Sequence, residues 1–479
     1  MSSSPPAESP RTILELAEAY RAGSTLPVAA TKEYLRRIER LNPRLNCFIT
    51  VLPEPALKAA ALSEQRFKSG TPLGPLDGIP VAVKDIIYIE GVKCTAGSKI
   101  LANNVAPYDA PVVKNLKGAG AILVGTTNLH EFAAGVTSEN PHYGPVRNPW
   151  DVNRVAGGSS GGSAVAVAAG MAVTAIGTDT AGSVRIPAAL CGVVGLKPTY
   201  GRVSRLGVIP LAPSLDTVGV LSSNAWDAAA TLQVIAGHDG DDMTTVNSQA
   251  TDYTNALSLP FQGARIGVVQ NYSQEIIDPR VEENLSQFTS KLVKIGCTTH
   301  DADLGGMDQI YDRWLIIRRA EATAFHLGWL EGSPELYGED VRKLMELGKD
   351  VRAVDYVNAL NSRPSTMERF TSSMKGLDFL AIPTTCIPAP LIGQPKVNIK
   401  GKEVEVYSAL NRLTLPFNYL GCPALSIPSG FVGGLPVGVQ IVGRLFDEAG
   451  VLRLAHAYEH KFGSHSAPDH SWDGSPPTA

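Results

Sequence analysis

The feature that most constrains this chain is a run of very small residues. Gly157-Gly-Ser-Ser-Gly-Gly-Ser163 leads directly into Ala164-Val-Ala-Val-Ala-Ala-Gly-Met-Ala-Val-Thr-Ala-Ile-Gly177. Side chains this short carry no charge to water and let neighbouring backbones approach closely, so the run belongs inside a core. From Ser163 to Gly177 it falls short of the roughly 20 residues needed to cross a bilayer. The spacing predicts a closely packed core helix at about 162–171, fed by a loop over 149–162. The rest of the chain must be large and apolar enough to enclose it. With 479 residues, 44% hydrophobic and 18% charged, it is, and a long disordered chain is excluded.

Forty-two basic against 46 acidic residues leave a net charge of −4. No basic stripe stands out, so nucleic acid is not expected as a direct partner. Residues 1–10 lack both a basic start and an apolar stretch, which argues against a signal peptide, and no membrane partner is expected. The reading is a cytoplasmic protein, monomeric or homodimeric. Six cysteines (Cys47, Cys94, Cys191, Cys297, Cys386, Cys422) are scattered singly, a pattern of buried small hydrophobes rather than a disulfide framework or zinc ribbon. Forty-six glycines and 34 prolines mean either abundant loops or a backbone that itself takes part in chemistry.

Along the chain, apolar spacing predicts helices over 12–22, 27–41 and 55–68. Strand 79–84, helix 110–118 and strand 121–125 then form a strand–helix–strand unit. Further strands are expected at 264–270, 378–383, 424–428 and 436–443, and helices near 281–295, 308–330, 339–348 and 446–460. The fold class is α/β, with a large mixed, partly parallel twisted sheet covered by helices on both faces. One domain is expected over 11–463, between disordered ends at 1–10 and 464–479. Within it lie a helical segment (11–70), a core (71–240), a variable segment (245–405) and a return to the core (406–463).

Three readings compete for the glycine-serine run. A phosphate loop would use glycine N–H groups at a helix start, but neither Gly-Lys-Ser/Thr nor GxGxxG is present. A nucleophile elbow matches Gly157-Gly-Ser159-Ser-Gly161, yet the polar segment Pro149 to Arg154 precedes it where a buried strand is required. A flexible linker conflicts with the alanine-rich segment that follows. His130 beside Glu131 resembles a metal pair, but no HExxH or second histidine cluster follows, and no metal is expected. His456 and His460 read as surface residues, and Glu339 to Lys349 as a charged, solvated helix.

The run Gly157 to Pro187, with its second cluster Gly177-Thr-Asp-Thr-Ala-Gly-Ser183-Val-Arg185, resembles the amidase signature family. Pro75-Leu-Asp-Gly-Ile-Pro-Val-Ala-Val-Lys84-Asp, Thr127 to Phe132, Asn148-Pro-Trp150, Gly195 to Gly201, Gly421-Cys-Pro-Ala and Gly434 to Gly443 are similar to that family in the same order. The resemblance implies Ser183 as nucleophile, Ser159 as a bridging serine on a cis peptide bond, and Lys84 as general base. The 24-residue separation of the serines fits the family pattern. It also implies an oxyanion hole from the backbone N–H groups of Thr180, Ala181, Gly182 and Ser183, with Ala181 departing from the commoner Gly-Gly-Ser. Asp179 and Arg185 are expected to brace the loop, with Gly157, Gly158 and Ser160 in supporting positions. No cofactor is implied.

The chemistry is coherent without the name. A serine hydroxyl needs a base within hydrogen-bond reach. The cluster holds no histidine, and a lysine serves only when neutral, which burial at the end of an apolar strand favours. The expected reaction is hydrolysis of a small-molecule amide through an acyl-enzyme, with aryl esters or carbamates also admitted. Tyr88, Phe132, Ile186 and Trp314, with Phe325 and Trp329, are candidates for an apolar pocket. The helix at 340–348 is similar to that of the glutamyl-tRNA amidotransferase catalytic subunit. However, Arg342-Lys343-Leu344 lacks the adjacent arginines, and Asn358-Ala-Leu-Asn-Ser-Arg replaces the expected run. The sequence therefore favours a free-standing amidase; the alternative is the partner-dependent catalytic subunit of such an amidotransferase.

Overall fold

Short apolar strands separated by amphipathic helices build one continuous sheet in the computed structural model. It describes residues 11–463 and Pro468, except 248–250, 262, 270–271 and 305–306. The expectations for 1–10 and for nearly all of 464–479 lie outside the described residues. The sheet has eleven strands: β1 (Phe48–Val51), β2 (Pro80–Lys84), β3 (Ile122–Thr127), β4 (Thr174–Asp179), β5 (Val194–Lys197) and β6 (Thr217–Ser222). The chain then adds β7 (Arg265–Val269), β8 (Thr298–Ala302), β9 (Phe379–Pro383), β10 (Ala424–Val432) and β11 (Leu435–Val442). Their spatial order is β1-β3-β2-β4-β6-β5-β10-β11-β9-β7-β8.

The sheet is mixed, as expected. Strand β2 runs parallel to β3 and β4, and β7 runs parallel to β8 and β9. The pairs between these two parallel groups are antiparallel. Because β7, β8 and β9 come from the 245–405 segment, that segment extends the same sheet rather than standing apart. The helix Gly161–Ala168 is buried along its whole length and packs on β2, β4 and β6, the core position its small residues require.

Several elements are absent from the sequence reading. Strands β4, β5 and β6 and the helix Arg185–Cys191 are buried at every position, and Ala225–Ile235 is buried at most of them. A segment enclosed on all sides carries no apolar–polar alternation, so periodicity cannot delimit it. His456 is half-buried rather than a surface residue; His460 is exposed. The helix Glu339–Glu346 buries Val341 and Met345 beneath its charged face. All six cysteines are buried and unbonded. Among the described residues no helix is long and apolar enough to cross a membrane.

Candidate active site

Adjacent parallel strands bring their C-terminal ends to the same edge of a sheet. Strands β2 and β4 pair with Val83 opposite Ile176, so Lys84 and the segment Thr178–Asp179 emerge together. Gly177 lies between them for a steric reason. A Cβ there would come within 2.8 Å of Ser160 Oγ. Its absence lets Ser160 lie against the strand, where its hydroxyl donates to Thr178 O (3.1 Å) and accepts from Thr178 N (3.2 Å). The Gly158–Ser159 peptide bond is cis. Ser159 O accepts from His130 N and from Ser138 Oγ, both at 3.2 Å, and Ser160 N donates to Ser183 O (3.1 Å).

Lys84 is fully buried. Its Nζ lies 2.7 Å from Ser159 Oγ, 2.9 Å from Ser160 Oγ and 2.9 Å from Thr178 Oγ1, with no carboxylate in contact among the described residues. Burial pulls its pKa down to about 7, against the opposing pull of Asp216 and Asp179. A neutral amine has two hydrogens and one lone pair. With the hydrogens on Ser160 and Thr178, the lone pair faces the Ser159 hydroxyl at the shortest of the three distances. Asp216 is itself pushed up to about 6 by burial, and it accepts from Thr180 Oγ1 at 2.6 Å.

The loop after β4 carries Ser183, which is 4% exposed. Asp179 and Arg185 pair with each other at this loop. The guanidinium donates to both Asp179 oxygens (3.0 and 3.1 Å), to Gln440 Oε1 (2.8 Å), to Asn418 Oδ1 (2.6 Å) and to Thr414 O (3.0 Å). Burial alone would push the Asp179 carboxyl up, but Arg185 overrides it and holds the group well below the usual carboxylate range.

The carbonyls of this loop are tied outward. Asp179 O accepts from Asn418 Nδ2 (2.9 Å), Thr180 O from Trp314 Nε1 (3.0 Å), and Ala181 O from Thr414 Oγ1. One expected oxyanion donor is already engaged: Gly182 N donates to Asp179 Oδ1 at 2.7 Å. The carboxylate claims that N–H because Gly182, at φ +119°, turns it back toward the strand end. Among the described residues the N–H groups of Thr180, Ala181 and Ser183 have no such partner. The Ser183 hydroxyl makes no hydrogen bond to Ser159 in this conformation. Catalytic contacts often tighten only with substrate bound.

The pocket candidates separate into two groups. Ile186 and Trp314 share one apolar cluster with Ala181, and Trp314 is wholly buried, so its visible contact is the brace on Thr180. Phe132 lies in a different cluster, packed against His326 and stacked on Trp329 at 5.8 Å. Tyr88 lies edge-on to Tyr108 at 5.6 Å, and Phe325 is 41% exposed. Glu131 accepts from His142 and Ser98, while His130 contacts Asp340. Sequence reasoning missed Thr178, Asp216, Thr414 and Asn418. Thr178 stood inside a quoted motif, but Thr414 and Asn418 are over 200 residues from the loop they hold.

Known proteins resemble this chain over most of its length. A family model described as Amidase matches residues 29–452. The A subunit of glutamyl-tRNA(Gln) amidotransferase from Myxococcus xanthus is 41% identical over 95% of this chain and 99% of its own. The crystal structure of the corresponding Thermotoga maritima protein is 34% identical, with a TM-score of 0.79 over 95% of this chain and 97% of that one. A chain of a solved vestigial protein complex, described as revealing the evolutionary origins of an s-triazine catabolic enzyme, is 33% identical with a TM-score of 0.91, covering 95% of this chain and 99% of that one. With similarity of this extent, the chain belongs to the amidase family, enzymes that act on carbon–nitrogen amide bonds.

Proposed function

We propose that Ser183 attacks the amide carbonyl while Lys84, acting through Ser159, takes its proton. The N–H groups of Thr180, Ala181 and Ser183 receive the developing oxyanion, the proton passes on to the departing amine, and water releases the acid. One observation carries this reading: a fully buried lysine with its pKa drawn to about 7, held by hydroxyls and no carboxylate.

The named relatives favour a more specific role than the sequence put first. The similarity to the Myxococcus amidotransferase protein spans nearly the whole chain, and this supports an enzyme that opens the side-chain amide of glutamine and hands the ammonia to a partner-bound acceptor. A second reading, a free-standing amidase, draws on the departures at Arg342-Lys343-Leu344 and Asn358 to Arg363 from the amidotransferase pattern. Ammonia release from glutamine by the chain alone and with a tRNA-binding partner separates the two. Partner-dependent release is expected. Release from simple amides but never from glutamine would discard the first reading. Ser183→Ala retaining more than roughly a hundredth of the wild-type rate would discard the mechanism itself.

A further inference from the structure

Three arginines are buried among the described residues, and two of them have carboxylates. Arg185 holds Asp179, and Arg202 faces Glu448 at 3.5 Å. The third, Arg318, is 2% exposed and has none. Its Nη2 is buried without a hydrogen-bond partner. The groups acting on its charge are Tyr407, Tyr311 and another guanidinium, Arg319. An arginine stays protonated in a protein, and a buried cation without a counter-ion is costly. A fold that retains one there is complete only when an anion arrives.

The position of Arg318 says which anion. It lies on the helix Asp308–Gly332, one turn from Trp314, with Cζ 5.5 Å from the Trp314 ring and 5.8 Å from that of Tyr407. The same indole donates to Thr180 O at 3.0 Å. The guanidinium is therefore two contacts from the loop proposed to receive the oxyanion. Trp314, Ala181 and Ile186 belong to one apolar cluster, with Tyr407 and Tyr311 packed at its edge. With two rings within 6 Å of its Cζ and Nη2 left without a partner, the guanidinium keeps an N–H edge for recognition, and a planar carboxylate matches that edge in a fork.

We propose that Arg318 binds a carboxylate carried by the substrate, so that this enzyme selects amides whose acyl part bears an anion. The assignment rests on the amidase reading above and adds the determinant of its specificity. It is a binding residue; the bond-breaking groups remain those on the two strand ends.

The test compares two amides of equal length, glutaramate and pentanamide, and measures binding of malonate, succinate and glutarate by calorimetry. Wild type is expected to prefer glutaramate. Arg318→Met should cut kcat/KM for glutaramate roughly 30-fold or more, as loss of one partner of a buried charge pair does, and leave pentanamide within about threefold. Arg318→Lys should recover part of the loss. At least one dicarboxylate should bind wild type and lose roughly 30-fold or more in the Met variant. The Met variant should melt no lower than wild type, because it removes an unpaired buried charge; a purely structural arginine would lower Tm and slow both amides alike. Equal losses on both amides, or no dicarboxylate bound by wild type, overturns the proposal. Dicarboxylate binding that needs Arg318, with amide turnover indifferent to Ser183→Ala, would keep the anchor and discard the mechanism.

Discussion

The buried lysine supports a sharp expectation about pH. An ordinary lysine near 10.5 is neutral in about one molecule in 3,000 at pH 7, whereas one near 7 is neutral in about half. That difference of 3.5 units corresponds to about 5 kcal/mol, the cost of having an unshifted lysine neutral at pH 7. The rate at which a fluorophosphonate labels Ser183 reads this without requiring the natural substrate. It should rise tenfold per pH unit below 7, stand near one-hundredth of its maximum at pH 5, and level off above about pH 8. Lys84→Met should lower the plateau by about 10²–10⁴ and remove the slope. Stability gives an independent check. Lys84 binds its proton more weakly folded than unfolded, so the folded wild type bears the full penalty below pH 7 and sheds it as pH rises toward 10.5. Wild type should thus gain stability relative to Lys84→Met from pH 6 to pH 9. Any advantage of the variant at pH 6 is reduced by the Ser159 and Thr178 hydroxyls that lose the amine, about 1–3 kcal/mol each. A labelling profile flat from pH 5 to 9, or the same slope in Lys84→Met, would refute Lys84 as the base.

Two further substitutions test the loop. At Gly182, with φ +119°, an added Cβ would overlap the Thr414 side chain, so Gly182→Ala should displace the donor loop. It should cost roughly 10²-fold in kcat and about 1–3 kcal/mol in stability, checked by labelling rate and thermal melting. Arg185→Met would leave Asp179 buried without its cation, at about 3–5 kcal/mol near neutral pH. Asp179 would then carry a raised pKa, so the deficit should shrink as pH falls toward 4, the reverse of the wild-type contribution. The freed carboxylate should also move the rising limb of the labelling profile upward, because Asp179 already pulls Lys84 toward its charged form.

Much of the candidate site was legible because its parts are sequential. Lys84 ends an apolar strand, Ser159 opens a small-residue helix, and Ser183 follows an acid; each stands in a short run whose composition marks it. What stayed hidden falls into two physical kinds. Strands β4, β5 and β6 are buried at every position, and a segment without a wet face has no period to read. Thr414, Asn418 and Gln440 act across more than 200 residues of sequence, and nothing local to them indicates that the loop at 179–182 requires their hydrogen bonds. Trp314 shows the same limit in one residue. Its aromatic bulk suggested a pocket wall, while its indole N–H holds Thr180 O.

The small-residue run explains why these pieces can share one site. A base that works near neutral pH must be buried, yet it must also reach a nucleophile through hydroxyls packed between two strands and a helix. With ordinary side chains the helix Gly161–Ala168 would stand too far from β2 and β4. A Cβ at Gly162 would collide with the backbone of Asn128 and Cys47, and one at Gly177 with Ser160. Removing those atoms draws the helix start down onto the strand ends, and the serines at its mouth then fill the gap between Lys84 and the loop of Ser183. The charges are arranged to the same end. Asp179 is spent on Arg185 rather than on the lysine, so no ion pair anchors the Lys84 proton. Close packing supplies the burial and the reach together, and the Asp179–Arg185 pair preserves the low pKa that both would otherwise fail to secure.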